Sequence, residues 1–243
     1  MKLYVSATGS GGNSYVLSGD KGESIILDAG VSLTKMLPHI PNLRKVEACC
    51  ITHEHQDHAR YWSEYWSRGI TIYASEGTLR EMMPSDFPQI VPGAKELTLY
   101  KTANFVVYPF AVQHDAAEPF GFLIRYIPTG ETLVYATDTY YLKYTFPGVH
   151  YWLVECNHCE ELVDAETNPV LRRRLKESHM SLRRLKDALM ANDLTETVKI
   201  VLVHLSDKRS DEKRMVSEIS ELTGIETVAA DAGMTIDLKL VPF

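Results

Sequence analysis

The ten residues ITHEHQDHAR, Ile51 to Arg60, place three histidines, a glutamate and an aspartate in six consecutive positions behind the apolar run VEACCIT. That run reads as a buried strand, so it delivers His53 into a loop at its C-terminal end. Side chains alternate along extended backbone. His53 and His55 therefore point the same way, while Glu54 and Gln56 point away. Asp57 and His58 fall at the start of a helix, where a carboxylate also suits the helix dipole. A lone histidine is most often a satisfied core or surface residue. Four ligand-type side chains at this spacing can instead reach two adjacent metal ions, and the pattern points to a metal site.

Short β-branched and aromatic runs separated by turn signals fill the first half: LYVS, NSYVLS, ESIILD and VEACCIT, the third ending in Asp28-Ala-Gly30. Leu33 to Leu37 reads as a short helix and HARYWSEYWSRG as a helix ending at Gly69. Ile70 to Ala74 follows as a strand and Ser75 to Met83 as another short helix. ELTLY, NFVVYPFAV, FGFLIRYI and TLVYATD read as a second set of strands, with Pro128-Thr-Gly130 as a hairpin turn, and YWLVEC as one more. The last third turns helical at Pro169 to Lys176, Ser181 to Ala191 and Asp211 to Leu222, with Gly224 past the end. VKIVLVH and TIDLKLV supply late strands. No repeat, low-complexity run or linker interrupts residues 1–243. The expectation is one α/β domain of two sheets faced by helices.

A chain of 243 residues, 45% hydrophobic, is long enough for such a layered domain. No apolar stretch approaches the roughly 18 to 20 residues of a membrane helix, so no membrane partner is expected. MKLYVSATGSGG lacks the apolar core of a signal peptide, so the protein is expected in the cytoplasm. Cys49 and Cys50 are adjacent inside a strand, a poor disulfide arrangement, and Cys156-Asn-His-Cys159 is a single C-x-x-C pair. Buried thiols in a reducing compartment account for all four better than a metal or redox role. The net charge of −7 argues against a generally basic nucleic-acid binder. Between Asn168 and Met190, however, seven Arg/Lys face only Glu177 and Asp187. This local stripe is either a solvated helix face or a receiver for an anionic substrate, with Arg172, Arg173, Arg174, Arg183 and Arg184 as the candidate contacts. Tyr61, Trp62, Tyr65 and Trp66 form an aromatic stripe better suited to a core or homodimer contact than to base stacking.

H-x-H-x-D-H after a buried strand resembles the signature of the metallo-β-lactamase fold, a four-layer αββα sandwich. His114 in VQHDAAEPFG, Asp138 in YATDTY and His204 in VLVHLSD match that family's later motifs, each at a strand end. The strings TGSGGNSYVL, QHDAAEPFGF, ECNHCEEL, SHMS and VHLS are similar to the YycJ (WalJ) branch of RNase-Z-like phosphodiesterases, found in bacteria and phages. The resemblance implies two divalent metals, Zn or Mn. One is held by His53, His55 and His114, the other by Asp57, His58 and His204, and Asp138 bridges. Flavodiiron relatives place a glutamate where His55 stands, so this set favours hydrolysis over electron transfer. The resemblance also implies that Glu155 and His179, in SHMS, form a pair that assists the leaving group. Asp115 and Glu118 are left to order their loop, and His158 lies either in the site or merely beside Cys159. Arg209, Ser210, Tyr140 and Leu182 depart from the branch pattern, which leaves the ligands intact and puts the substrate in question.

Two ions about 3.5 to 4 Å apart lower the pKa of a bridging water toward 7. The expected activity is therefore phosphodiester hydrolysis, with a metal-bridging hydroxide as nucleophile, Asp57 orienting it and His179 protonating the departing oxygen. The resemblance implies DNA, cleaved exonucleolytically from a 5′ end. The alternatives are a cyclic-nucleotide phosphodiesterase and a thioester or lactone hydrolase.

Overall fold

In the computed structural model, which describes residues 1–84 and 93–240, the chain forms two mixed β-sheets packed face to face, with helices on both outer faces. The first half supplies β1 (Lys2–Ala7), β2 (Ser14–Ser18), β3 (Ser24–Leu27), α1 (Leu33–Met36), β4 (Val46–Cys50), α2 (Gln56–Ala59), α3 (Trp62–Ser67), β5 (Thr71–Tyr73) and α4 (Glu76–Met82). The second supplies β6 (Tyr100–Lys101), β7 (Phe105–Ala111), β8 (Phe120–Tyr126), β9 (Thr132–Ala136), β10 (Tyr151–Glu155), α5 (Glu160–Asp164), α6 (Pro169–Ser178), α7 (Leu182–Met190), β11 (Lys199–Val203), α8 (Glu212–Thr223), β12 (Glu226–Ala229) and β13 (Thr235–Asp237). One sheet runs β13-β1-β2-β3-β4-β5 and the other β12-β11-β10-β9-β8-β7-β6.

Each sheet is covered on both faces, which is why β2, β3 and β10 are buried along their whole length and read as continuous apolar runs. Between the sheets, Leu3, Leu17 and Leu27 meet Phe122, Tyr135 and Leu153. Cys49 faces outward to Leu33, Met36 and Tyr65, and Cys50 faces inward, as strand alternation requires. On the opposite side, Trp152, Val154 and Leu202 pack beneath Leu185 and Leu189 of α7 and Met215 and Ile219 of α8. The four layers are therefore helix, sheet, sheet, helix.

Topology fixes where chemistry can sit. β3 and β4 are parallel, and so are β9, β10 and β11, so five strand C-termini come to one rim of the sandwich. Several segments depart from the pattern that the sequence predicts. The helix expected from His58 to Gly69 breaks at Arg60–Tyr61, because Tyr61 N donates to Ala29 O and turns the chain. ELTLY yields only β6, and α5 and β12 appear where no element had been assigned. Of TIDLKLV, Thr235–Asp237 is strand, while Val241 lies outside the described residues. The aromatic stripe goes inward: Trp62 and Tyr65 are buried, and Tyr61 and Trp66 pack against the same outer cluster. Among the described residues no helix is long and apolar enough to cross a membrane.

Candidate metal centre

Three residues at strand ends hold a left-handed backbone that side chains other than glycine rarely adopt: Asp28 (φ 60°) after β3, Asp138 (φ 49°) after β9 and His204 (φ 54°) after β11. Such conformations persist where the surroundings over-determine them, and they cluster at functional sites. All three side chains are buried and converge with the loop from Thr52 to His58.

The convergence produces three sets of potential ligands that share the Asp138 carboxylate, one of them Asp138, Glu155, His179 and His204. His53, His55, His114 and Asp138 present ligand atoms all within 4.8 Å of one another, and so do Asp57, His58, Asp138 and His204. His114 Nε2 lies 3.2 Å from His55 Nδ1 and 3.4 Å from Asp138 Oδ2. Its Nδ1 donates to Ser178 O at 2.9 Å, which fixes the tautomer and aims Nε2 into the cluster. His58 is held in the same manner: Nδ1 donates to Asp28 Oδ2 at 2.7 Å, and Nε2 lies 3.3 Å from Asp57 Oδ2 and 3.5 Å from Asp138 Oδ1. His204 Nδ1 lies 2.9 Å from Asp138 Oδ1 and 3.0 Å from Glu155 Oε1, with Nε2 3.6 Å from Asp57 Oδ2.

His53 Nε2 is buried and has no hydrogen-bond partner. An orphaned polar nitrogen of this kind is costly unless something binds it. Imidazoles and carboxylates are the chemistry that divalent transition metals accept. The residues present therefore fit a cation on either side of Asp138.

The electrostatics divide the set. Burial, reinforced by His58, keeps His53 well below the usual histidine pKa, and burial lowers His114 too. Burial also works against charge on His58 and His204, but adjacent carboxylates, Asp138 first, lift both well above that value. Asp138 and Asp57 are pulled down against burial, Asp138 chiefly by the charge on His204 and Asp57 chiefly by hydrogen bonding to His204. Without metal, burial favours the uncharged form of His53 and His114, while His58 and His204 hold protons against the carboxylates of Asp138 and Asp57.

Beside the second set, His179 Nδ1 donates to Glu155 Oε1 at 2.7 Å. Glu155, fully buried at the end of β10, also accepts from the amides of Thr139 and Met180, each at 3.0 Å. The same Oε1 faces His204, so one carboxylate ties His179 to the cluster. His158 is buried with an orphaned Nδ1 but joins none of the ligand sets. Cys156 and Cys159 are free, buried thiols that burial pushes up in pKa. Glu54, turned away as expected, accepts from Ala117 N at 2.8 Å. Glu118 accepts from Gly77 N at 2.8 Å, and Asp115 Oδ2 lies 3.3 Å from Arg174 Nε.

The five arginines do not form one surface. Arg173 pairs with Glu177 at 3.0 Å, Arg183 faces Glu160 at 3.8 Å, and Arg184 donates to Lys176 O at 2.6 Å while stacking on Tyr140. Only Arg173 and Arg174 line the cleft of about 680 Å³ that opens beside His114. Arg172 has no ion-pair partner among the described residues and stays outside that lining.

Asp28 and Asn13 were not anticipated. Asn13 Nδ2 lies 3.0 Å from His58 Nε2 and 3.4 Å from Asp57 Oδ2, and Asn13 N donates to Asp57 O at 2.7 Å. Gly30 makes this approach possible, because a Cβ there would fall 1.8 Å from Asp57 O and 2.6 Å from Asn13 N. The available signals were a carboxylate capping an all-apolar strand (SIILD) and an asparagine within a glycine-rich turn.

No curated protein matches the chain in a sequence search. Solved structures do match. The metallo-β-lactamase fold protein YhfI from Bacillus subtilis aligns with a TM-score of 0.71 at 15% identity, covering 97% of this chain and 98% of that one. Zn(2+)-bound PqqB from Methylobacterium extorquens aligns at 0.69 and 15%, covering 98% and 100%. Human tRNase Z, short form, aligns at 0.64 and 17%, covering 98% and 100%. At these identities the likeness establishes the fold. The family model for the Beta-lactamase superfamily domain matches residues 23–205, and the chain belongs to that superfamily of metal-dependent hydrolases with the metallo-β-lactamase fold.

Proposed function

We propose that this chain hydrolyses phosphodiesters, with a nucleic-acid or nucleotide substrate. The observation that carries the reading is the Glu155–His179 pair set directly against a double ligand cluster that shares Asp138. His53, His55 and His114 would hold one divalent cation, Asp57, His58 and His204 the other, and Asp138 both. When bound, such cations supply Lewis acidity and make water a nucleophile near neutral pH. The chain's own groups do the rest. Asp57 stays ionised under its hydrogen bonds with His204 and His58, and it accepts a hydrogen bond from the attacking water. Glu155 raises the pKa of His179 against the effect of burial. His179 is thereby kept protonated and able to give its proton to the departing oxygen.

The resemblance to the YycJ branch, and the likeness to a structure named as a tRNase, support a nuclease, with 5′ to 3′ DNA exonuclease the specific form. A second reading, a small-nucleotide phosphodiesterase, gains from the paired arginines, since a long polyanion is best served by uncompensated charge. Purified protein supplied with Mn or Zn should shorten end-labelled DNA from the 5′ end. Turnover of cyclic nucleotides without turnover of DNA would establish the second reading, and activity on neither would overturn both.

A further inference from the structure

The cleft beside His114 has apolar, cationic and acidic walls, the last from Asp115 and Glu177. Pro169, Val170 and Tyr140 offer apolar and aromatic surface, and Arg173 and Arg174 offer guanidinium groups. Val170 is 76% exposed, the most exposed of the large hydrophobic side chains among the described residues, on the first turn of a helix otherwise facing solvent with charge. Tyr140 is held in place: Arg184 packs its guanidinium 5.1 Å from the ring centroid, and Tyr140 N donates to Gln113 O at 3.1 Å. The two arginines are paired with Glu177 and Asp115, but every partner is about half exposed or more. Exposed ion pairs are weak and exchange readily, and a guanidinium fits a phosphate in a bidentate fork.

Resting on the phosphodiesterase reading above, we infer that this cleft binds one unpaired nucleotide unit adjoining the scissile phosphate. The base sits between Val170 and Tyr140, and a flanking phosphate displaces Asp115 from Arg174. His114 belongs both to the first ligand set and to the cleft wall, so a ligand in the cleft is continuous with the metal centre. The cleft's volume of about 680 Å³ lies within the range of about 300–1,000 Å³ typical of small-ligand sites. A duplex, in contrast, covers a face of about 1,000 Å² or more that is strongly positive. Here Lys176, Arg183 and Lys186 are also matched, by Asp164, Glu160 and Glu218. Base stacking on an aromatic ring tolerates any sequence, so the site selects for an unpaired end and not for a base.

The test compares thymidine 5′-(p-nitrophenyl phosphate), which carries a nucleoside, with bis-(p-nitrophenyl) phosphate, which does not. Wild type should prefer the former in kcat/KM. Val170→Asp and Arg174→Glu should each cut that preference about tenfold. They should also weaken binding of thymidine 5′-monophosphate, measured by calorimetry, by a similar factor. Neither change threatens the fold: Val170 is exposed near the N-terminus of α6, capped by Asn168, where an acidic residue is favourable. Met190→Asp, exposed on α7, should leave the preference unchanged. Unpaired 5′ overhangs should also be degraded faster than blunt duplex. Equal losses on both chromogenic substrates, or a preference for blunt duplex, would overturn the inference while leaving the hydrolase reading standing. Wild type inert on both substrates, yet binding the monophosphate in a Val170-dependent way, would overturn the hydrolase reading and keep the nucleotide site.

Discussion

Asp28 is a fully buried carboxylate that accepts from Thr52 N at 2.7 Å, His58 Nδ1 at 2.7 Å and Tyr135 Oη at 2.6 Å. It belongs to no ligand set, and its work is to orient His58. Removing the partner that orients a ligating histidine typically costs about 10- to 100-fold in metal affinity. Asp28→Asn should therefore weaken one of two metal equivalents by that factor and spare the other, as read by competition with a chromophoric chelator; two unaltered equivalents would refute the role. The loop from His114 to Glu118 contains a second discrimination. His114→Ala should lose metal and turnover together, whereas Glu118→Ala, which frees only the Gly77 amide and a turn, should keep the metal. The reverse outcome would move the ligand assignment to Glu118. Residues like these mark the boundary of what a sequence discloses. His53 to His58 were legible because six consecutive positions carry their own geometry. Asp28 and Asn13 were not, since each acquires meaning only when β3 and the turn after β1 close against residues dozens of positions away.

Among the elements, the long buried strands were plain from their apolar runs, and α8 from Asp211 at its N-cap and Gly224 in the left-handed conformation past its end. The short pieces were not. β12 has only four residues and is specified by pairing with β11, and the break between α2 and α3 comes from one tertiary hydrogen bond to Ala29. The charge run across α6 and α7 was visible, but its compensation by Asp115, Asp164, Glu160 and Glu218 was not, because those acids come from other elements. The junction of α6 and α7 holds His179, whose ring is oriented by Glu155 from β10. His179→Ala leaves the sets built on His53 and on His58 complete, so the two metal equivalents assigned to them should be retained. General acid catalysis contributes about 10²- to 10⁴-fold. That loss should appear with an alkyl or sugar leaving group and be much smaller with nitrophenolate, which departs without a proton. A uniform loss across leaving groups would place His179 in a structural role instead.

At the scale of the whole molecule, the candidate ligands tie the sheets to each other. His53, His55, Asp57 and His58 follow β4 in one sheet, while Asp138 and His204 follow β9 and β11 in the other. A cation bound across this rim cross-links the sandwich, and anything that binds only the folded state stabilises it by mass action. At a metal concentration about 100 times Kd that amounts to about 2.7 kcal/mol. For a chain of this length each kcal/mol raises Tm by about 2–4 °C, so metal should add about 5–11 °C, reversed by a chelator. The gain carries a pH signature whose sign follows from the site. His58 and His204 have raised pKa values in the metal-free protein, so they hold protons that a cation has to displace. Acidification favours those protons and lowers metal affinity. Alkalinisation past the raised values lets the gain reach its plateau. Thermal unfolding at about pH 8 and about pH 6, on either side of an ordinary histidine pKa, should show a larger metal-dependent rise in Tm at the higher pH. Asp138→Ala, which removes the shared carboxylate, should abolish the rise at both. A rise that grows on acidification, or survives in Asp138→Ala, would mean the stabilising cation binds elsewhere on the protein.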